Sequence, residues 1–463
     1  MILYPKTRSD LLRIIKVASK HKIALVPVSS EWDFHGSTVT DGGAIIDLRD
    51  LNRIEKVRPT FDGMSIDIEP GVTFQQANEH LRSQGYRLLV PLRQPPQASV
   101  VSTHYGKNPV LEANKYGYHQ DWMILTYQMA IAKGIFVGFG SEGLETVGEP
   151  GDYPYSPRAD LGRMFLGGLG SFGIVSRATV KLKYNPPKYD YLFATGENLS
   201  DLLKKLRDVT LHTDAGQTVL IADPKILASY LAKSRTELED YWNKLPTWTA
   251  IIAIAGTDEY IQTEKLDLID EAASNSLKLD ENIMNLDISK ILGPEFRLTD
   301  NIGSNFDLAP HIRIEFYTTL GRLGKIRAAA NDLFKLHKIE EEKIGFMSNS
   351  IEMGRSYFCE YDIYYDGGSQ KMDPDSLPNV GNVNLRELYE KVYKTIIEAG
   401  GVINMPRNPI IADLIYPRIP NYYEMMRVLK YCLDPKNIMH PRAVFAGRGG
   451  IEPKTVQITR EVV

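Results

Sequence analysis

The chain has 463 residues, more than one hydrophobic core usually supports, so two or more domains are expected. Hydrophobic residues make up 43% and charged residues 24%, and the formal net charge of −4 leaves no basic excess for nucleic acid or another polyanion. Cys359 and Cys432 form neither a disulfide framework nor a metal motif, and no apolar stretch approaches the ~20 residues of a membrane span.

The opening Met1-Ile2-Leu3-Tyr4-Pro5-Lys6 lacks the basic, apolar and small-residue succession of a signal peptide. With two free thiols, this predicts a cytoplasmic protein. Leu11, Leu12, Ile14, Ile15 and Ala18 recur at helical spacing and predict a helix over 10–21, capped by Ser9 or Asp10. The apolar run 23–28 predicts a strand, and a polar loop, 29–40, connects it to a second strand over 44–48. A third strand over 62–68 ends on Glu69-Pro70-Gly71-Val72. Thr73 caps a helix that stops at Gly85.

Residues 91–117 read as loop-rich, 124–139 as strands broken at Lys133-Gly134, and 140–157 as polar and rich in Gly and Pro. The glycine-rich stretch 167–175 leads into a strand over 178–182. Asn185-Pro186-Pro187 is a linker, because consecutive prolines end regular structure. Beyond it, strands over 191–194, 219–222, 251–255 and 312–317 alternate with helices over 199–212 and 324–337, the pattern of an antiparallel sheet backed by helices. A tail helix over 422–431 ends in Leu433-Asp434-Pro435-Lys436-Asn437-Ile438-Met439-His440-Pro441.

Several of these segments resemble the flavoproteins of the vanillyl-alcohol oxidase and p-cresol methylhydroxylase (PCMH) type, a family that also holds FAD-linked D-lactate and glycolate dehydrogenases. Ile45-Ile46-Asp47-Leu48-Arg49-Asp50-Leu51-Asn52-Arg53-Ile54 is similar to the family's strand and turn, and Glu69-Pro70-Gly71-Val72 to its "EPGV" corner. Phe172-Gly173-Ile174-Val175 is similar to its "FGIVT" strand, and Leu433 to Ile438 to its "LDP-x-x-I" element. The order and spacing of these pieces over 4–183, with the tail at 423–445, carry the resemblance.

The resemblance implies a two-lobed α+β PCMH-type FAD-binding fold with an antiparallel-sheet substrate (cap) domain. It divides the chain into an FAD-binding domain, 1–186, a cap domain, 187–420, and a C-terminal segment, 421–463, that returns to the first. FAD contacts are expected from Pro27, Ser29, Ser30, Gly36 and Ser37 in the pyrophosphate loop, and from Pro70 and Gly71 at the corner. Further contacts are expected from Ser99, Val100 and Ser102 beside the ring, from Gly173, Ile174 and Val175, and from Asn437. The pyrophosphate loop keeps only Gly36 of the family's glycines and places Glu31 and Asp33 where a diphosphate lies, where like charges repel.

The family's flavin accepts a hydride from a C–H beside oxygen, while the protein orients the substrate. The tract 355–365 alternates at strand period and predicts Tyr357, Tyr361 and Tyr365 on one face, directed at a substrate or packed against helices. Arg313 and Arg407 are candidate oxyanion partners. His440 is a candidate base or flavin contact, with packing as its alternative, while His311 and His337 read as isolated histidines. No metal-binding H-x-G-D-G-x-x-H cluster occurs, so no metal is expected and the aromatic-alcohol branch is favoured. The expected protein is an FAD-dependent oxidoreductase that dehydrogenates an aromatic alcohol, an alkylphenol or a 2-hydroxy acid and passes electrons to a protein acceptor. The alternative is a flavin-free paralogue acting as a structural or assembly subunit; either way, a homo- or hetero-oligomer is expected.

Overall fold

The computed structural model describes the chain apart from residues 30–41, 60–62, 92–93, 118–122, 144–159, 233, 285–309, 366–378, 407, 442 and 446–463. After β1 (Ile2–Leu3), helix α1 (Arg8–His21) starts at Thr7 rather than at Ser9 or Asp10. The Thr7 hydroxyl accepts the Asp10 N–H and the Asp10 carboxylate accepts the Thr7 N–H, a capping box that makes Asp10 the box partner and not the cap. Lys22 closes the helix at φ 55°, and the Ile23 N–H returns to the Ala18 carbonyl. Strand β2 (Leu25–Val28) therefore begins two residues later than the apolar run. It pairs in parallel with β3 (Ala44–Asp47), giving the order β1-β3-β2. Leu11, Ile15 and Ala18 of α1 seal this small sheet against Leu25, Ala44 and Ile46.

A five-stranded antiparallel sheet follows, ordered β4-β5-β9-β7-β8. Its strands are β4 (Ile54–Arg58), β5 (Ser65–Ile68), β7 (Ile124–Ile131), β8 (Ile135–Phe139) and β9 (Ile174–Lys181). Strand β4 escapes the sequence reading because it is an edge strand rich in charge. Its Arg58 is nevertheless fully buried, 2.7 Å from Asp67. Helix α2 (Phe74–Arg82), a short β6 (Tyr86–Arg87) paired with β10 (Lys183–Tyr184), and the short helices α3 (Val100–Tyr105) and α4 (Ala113–Tyr116) cover the sheet's apolar face.

Strand β11 (Lys188–Gly196) starts directly after Pro186-Pro187. It opens a six-stranded antiparallel sheet ordered β11-β13-β12-β15-β16-β14. The chain supplies it as β11, α5 (Leu199–Thr213), β12 (Thr218–Ala222), α6 (Pro224–Leu231), α7 (Arg235–Lys244), β13 (Trp248–Gly256), α8 (Asp258–Ser274), β14 (His311–Thr318), β15 (Ile344–Ile351) and β16 (Ser356–Tyr364). Strand β15 was not expected, since Ser348, Asn349 and Ser350 dilute its apolar pattern. All three are buried: Asn349 donates to the Leu111 carbonyl (3.2 Å) and Ser350 to Asn114 (2.7 Å), which ties the sheet to the first lobe. One face of the sheet carries Ile252, Phe316, Phe346 and Tyr361 against α5, α8 and the helices Leu320–Leu336 and Leu385–Glu398. The other carries Leu220, Met347, Phe358 and Tyr364 into a buried cluster continuous with the first lobe.

The C-terminal helix (Pro420–Leu433) returns the chain to that lobe. The Leu25 N–H donates to the Ile438 carbonyl (2.7 Å) and the His440 N–H to the Leu25 carbonyl (2.8 Å), so the tail pairs with the free edge of β2. Inside, Lys430 Nζ donates to the carbonyls of Ser171 and Met439 and to Asp434, each at 2.6 Å, with Lys430 and Asp434 fully buried. Asp434 also accepts the N–H groups of Ile438 (3.0 Å) and Met439 (2.7 Å). Burial pulls the Lys430 ammonium down to about 8, while Asp434 opposes the shift. Three acceptors for three N–H donors keep it charged at neutral pH.

Removing one member of such a pair strands the other charge without water. Lys430→Met should destabilise the protein by about 3–5 kcal/mol. Denaturant unfolding that shows a loss below about 1 kcal/mol, the range of exposed pairs, would contradict this role.

Candidate active site

Three segments meet at the carboxyl end of the small parallel sheet, where open α/β sheets place ligands. Pro27 to Ser29 leave β2 half-exposed. The stretch Gly167–Gly173 packs beside them, and Gly170 (φ +80°) lies so close to the Pro27 ring that a side chain there would collide with it. Helix α3 is the third segment, its last residue joined to the second by the Gly167 N–H to Tyr105 carbonyl bond of 2.7 Å. Ser102 is exposed, whereas the other residues of α3 are buried.

The residues expected to touch a cofactor divide into two groups. Pro70 and Gly71 are buried, and a Cβ on Gly71 would lie 2.5–2.7 Å from the carbonyls of Leu48, Arg49 and Leu51. Ser99 is fully buried; its hydroxyl donates to the Pro70 carbonyl (2.6 Å) and accepts the Ser102 N–H (3.0 Å), so it caps α3 and fixes the corner. Val100, Gly173, Ile174 and Val175 are enclosed by protein. These seven residues build the frame. Pro27, Ser29, Ser102 and Asn437 (φ 50°) are the partly open ones. Ser30, Gly36, Ser37, Glu31 and Asp33 lie outside the described residues.

His440 is a fastening. Its Nδ1–H donates to the Leu169 carbonyl (2.5 Å), and its own carbonyl accepts the Ser171 hydroxyl (3.4 Å). It therefore clamps the tail to the glycine-rich segment.

The alternation in β16 is real, but its phase is the opposite of the one expected for a substrate face. Tyr357 and Tyr361 point into the helix-backed core, where Tyr361 packs against Phe346 (4.8 Å) and Phe334 (5.6 Å). Tyr365 packs against the same side. With a side-chain period of two, Phe358, Glu360, Asp362 and Tyr364 take the other face, toward the first lobe. Strand β14 adds His311, Arg313, Glu315 and Tyr317 to that face.

The charged groups there are coupled. Arg313 lies 3.3 Å from Glu360 and 3.9 Å from Glu315, and His311 Nε2 lies 3.5 Å from Asp362. Arg313 is thus part of a carboxylate-rich wall, and His311, read as isolated, is its neighbour. Beside the wall, Glu315, Tyr317, Tyr389, Tyr393, Asn404 and Met405 line a small cavity at the sheet edge. Asn404 donates to the Lys107 carbonyl (3.3 Å), and Met405 lies against Gly167, which joins this edge to the glycine-rich segment and to the end of α3. Arg407 lies outside the described residues. The cavity tyrosines had no signal in sequence beyond helical spacing.

A family model described as an FAD binding domain matches residues 1–139. Glycolate oxidase subunit GlcD of Bacillus subtilis (strain 168) is 22% identical, covering 96% of this chain and 88% of that protein. A mitochondrial D-lactate dehydrogenase [cytochrome] of Kluyveromyces lactis is 21% identical, over 96% and 73%. Among solved structures, substrate-bound p-cresol methylhydroxylase superposes with a TM-score of 0.77 at 16% identity, covering 96% of this chain and 88% of that one. The 4-ethylphenol oxidase of Gulosibacter chungangensis, in complex with isoeugenol, gives 0.76 at 16%, over 95% and 88%. The chain has the PCMH-type FAD-binding fold, and its first 139 residues match an FAD binding domain.

The described part of the PCMH-type site fits FAD by its donor set. Pro27–Ser29, Ser99–Gly106 and Gly167–Gly173 carry no carboxylate, and Ser29 and Ser102 offer hydroxyl donors at the open positions. Among the described residues no three His, Cys, Asp or Glu side chains gather as metal ligands, and no helix is long and apolar enough to cross a membrane.

One residue of this PCMH-type frame is anomalous. His104, on α3, is fully buried against Phe74 (5.7 Å), and neither ring nitrogen has a hydrogen-bond partner. Burial pushes its imidazole from 6.5 down to about 4. The folded protein then carries fewer protons than the unfolded chain between those pH values, so stability falls on acidification through that window and is fully present above it. From pH 7 to below 4, His104 should cost about 3 kcal/mol. His104→Leu should lose that much less stability over the same interval, as read by unfolding at several pH values; parallel pH profiles would place a partner on the ring.

Proposed function

We propose that the protein is an FAD-dependent dehydrogenase that takes a hydride from a carbon beside oxygen in an aromatic alcohol, an alkylphenol or a 2-hydroxy acid, and passes the electrons to a protein acceptor. The observation that carries this reading is the meeting of two surfaces. The carboxylate-rich face of β14 and β16 is joined through Asn404 and Met405 to the end of α3 and the glycine-rich segment. The names of the relatives, an oxidase and dehydrogenases of hydroxy acids, support the same class.

Bound FAD would supply the hydride acceptor. Ser29, Ser102 and the backbone of Leu169 and Gly170 would hold it, with Pro70, Gly71, Ser99, Val100, Gly173, Ile174, Val175 and Asn437 shaping the frame around it. On the cap side, His311, oriented by Asp362, is placed to accept a proton from a substrate hydroxyl. Tyr317, Phe358 and Met405 exclude water from that side. On this reading 1–186 forms the FAD-binding domain, 187–420 the cap and 421–463 the returning segment.

The purified protein, supplemented with FAD, should show flavin absorbance bands at near-stoichiometric level, and these should bleach anaerobically with a substrate of the class. Asp362→Asn and His311→Ala should slow bleaching by roughly 10²-fold or more while the bands remain. A protein that takes up no flavin, even after refolding with FAD, would sink the reading in favour of a flavin-free assembly subunit.

A further inference from the structure

The chain passes from the first lobe to the cap through a two-stranded ladder, β10 against β6, just ahead of Pro186-Pro187. In its register Lys183 stands directly opposite Arg87, an arrangement in which like charges repel. Arg87 is held by others: its guanidinium donates to Glu112 (2.6 Å) and to the Tyr184 carbonyl (3.2 Å). Lys183 is left without a carboxylate. Among the described residues its ammonium makes no ion pair; it lies half-buried over the Tyr116 ring of α4, 4.1 Å from the centroid, with Lys181 two residues before it. Lys188, five residues further on, shows the contrast, because its hydrogen bond to Asp258 (2.6 Å) raises its ammonium above the usual lysine value. For Lys183 the signs reverse: burial, then repulsion from Lys181 and Arg87, outweigh Glu112 and pull it from 10.5 down to about 8. About half of it is then neutral amine at pH 8, against under about 1% of an ordinary lysine.

A lysine desolvated and set beside other cations is a nucleophile, and the same cations attract an anionic electrophile. We propose that Lys183 is a modification site that takes an acyl group from a small anionic acyl donor, an acyl phosphate. The amine lone pair attacks the acyl carbon and forms the C–N bond. The bond from that carbon to the phosphate oxygen breaks, and phosphate leaves with the bonding pair and takes up the amine proton. The amide carries no charge, so the repulsion from Lys181 and Arg87 and the cost of a half-buried ammonium both disappear, together with the cation–π contact to Tyr116. Helix α4 is bonded to the cap, since the carbonyls of Ala113 and Asn114 accept the Glu352 and Met353 N–H groups (3.0 and 3.1 Å). The modified residue therefore lies where the two lobes meet.

The test incubates the full chain with acetyl phosphate and follows acetylation of each lysine by peptide mass spectrometry. At pH 8 Lys183 should acetylate at least roughly fivefold faster than the exposed Lys22 and Lys335. Its initial rate should level off above about pH 8, where an ordinary lysine keeps climbing to about pH 10. N-acetoxysuccinimide, an uncharged donor, should show a smaller preference for Lys183 than acetyl phosphate does. Lys181→Gln removes one of the two cations, so it should move the levelling point upward and slow Lys183 severalfold at pH 7. The pH profile and the donor comparison use the unsubstituted chain and decide the matter if that variant fails to fold. Lys183 acetylating no faster than the exposed lysines, a rate that climbs on to pH 10, an equal preference for the two donors, or a folded Lys181→Gln variant with an unchanged profile would each overturn the proposal.

Discussion

Lys430 holds together parts of the chain that are far apart in sequence and must be adjacent for a site to exist. Its ammonium meets the Ser171 carbonyl of the glycine-rich segment, the Met439 carbonyl of the tail and the Asp434 carboxylate, all without solvent. A buried charge is tolerable only when its donors are satisfied, so the three partners must arrive together. Asp434 then spends its remaining capacity on Ile438 and Met439, which sets the tail in register with the edge of β2. His440 adds the clamp to Leu169. The position of the glycine-rich segment beside Pro27, and hence the shape of the space at the end of β2, follows from this knot.

The first lobe is accordingly a frame whose motif residues mostly brace one another. Gly71 is needed because three carbonyls crowd it, and Ser99 because α3 requires a cap and the Pro70 carbonyl a donor. The cap sheet is built differently, with one mainly apolar face under helices and one mixed face toward the first lobe. Asn349 of β15 and the charges of β14 and β16 sit on that mixed face, where they have partners, whereas Ser348 lies beside Cys359 on the helix side.

The family resemblance, the order of the elements and the antiparallel cap sheet were legible in sequence, since each rests on local pattern: helical spacing in 10–21, the Glu69-Pro70-Gly71 corner, the double proline ahead of β11. The site was legible only in part. Alternation in 355–365 announced a two-faced strand, but alternation carries no sign, and the tyrosines went to the helices while Glu360 and Asp362 went to the lobe interface. Strand β4 and strand β15 were hidden because their polar residues are satisfied by distant groups, Asp67 for Arg58 and Leu111 and Asn114 for Asn349 and Ser350.

What the sequence determined by itself is therefore most of the elements, their order and the family they resemble, because capping, periodicity and turn chemistry act over a few residues. Which face of β16 looks toward the first lobe, that Arg313 is held by Glu360, that His440 is a clamp and that Lys430 is buried were decided by the tertiary structure alone. Each depends on groups tens to hundreds of residues apart, and the cost of burying a charge is settled only when its partner's position is known.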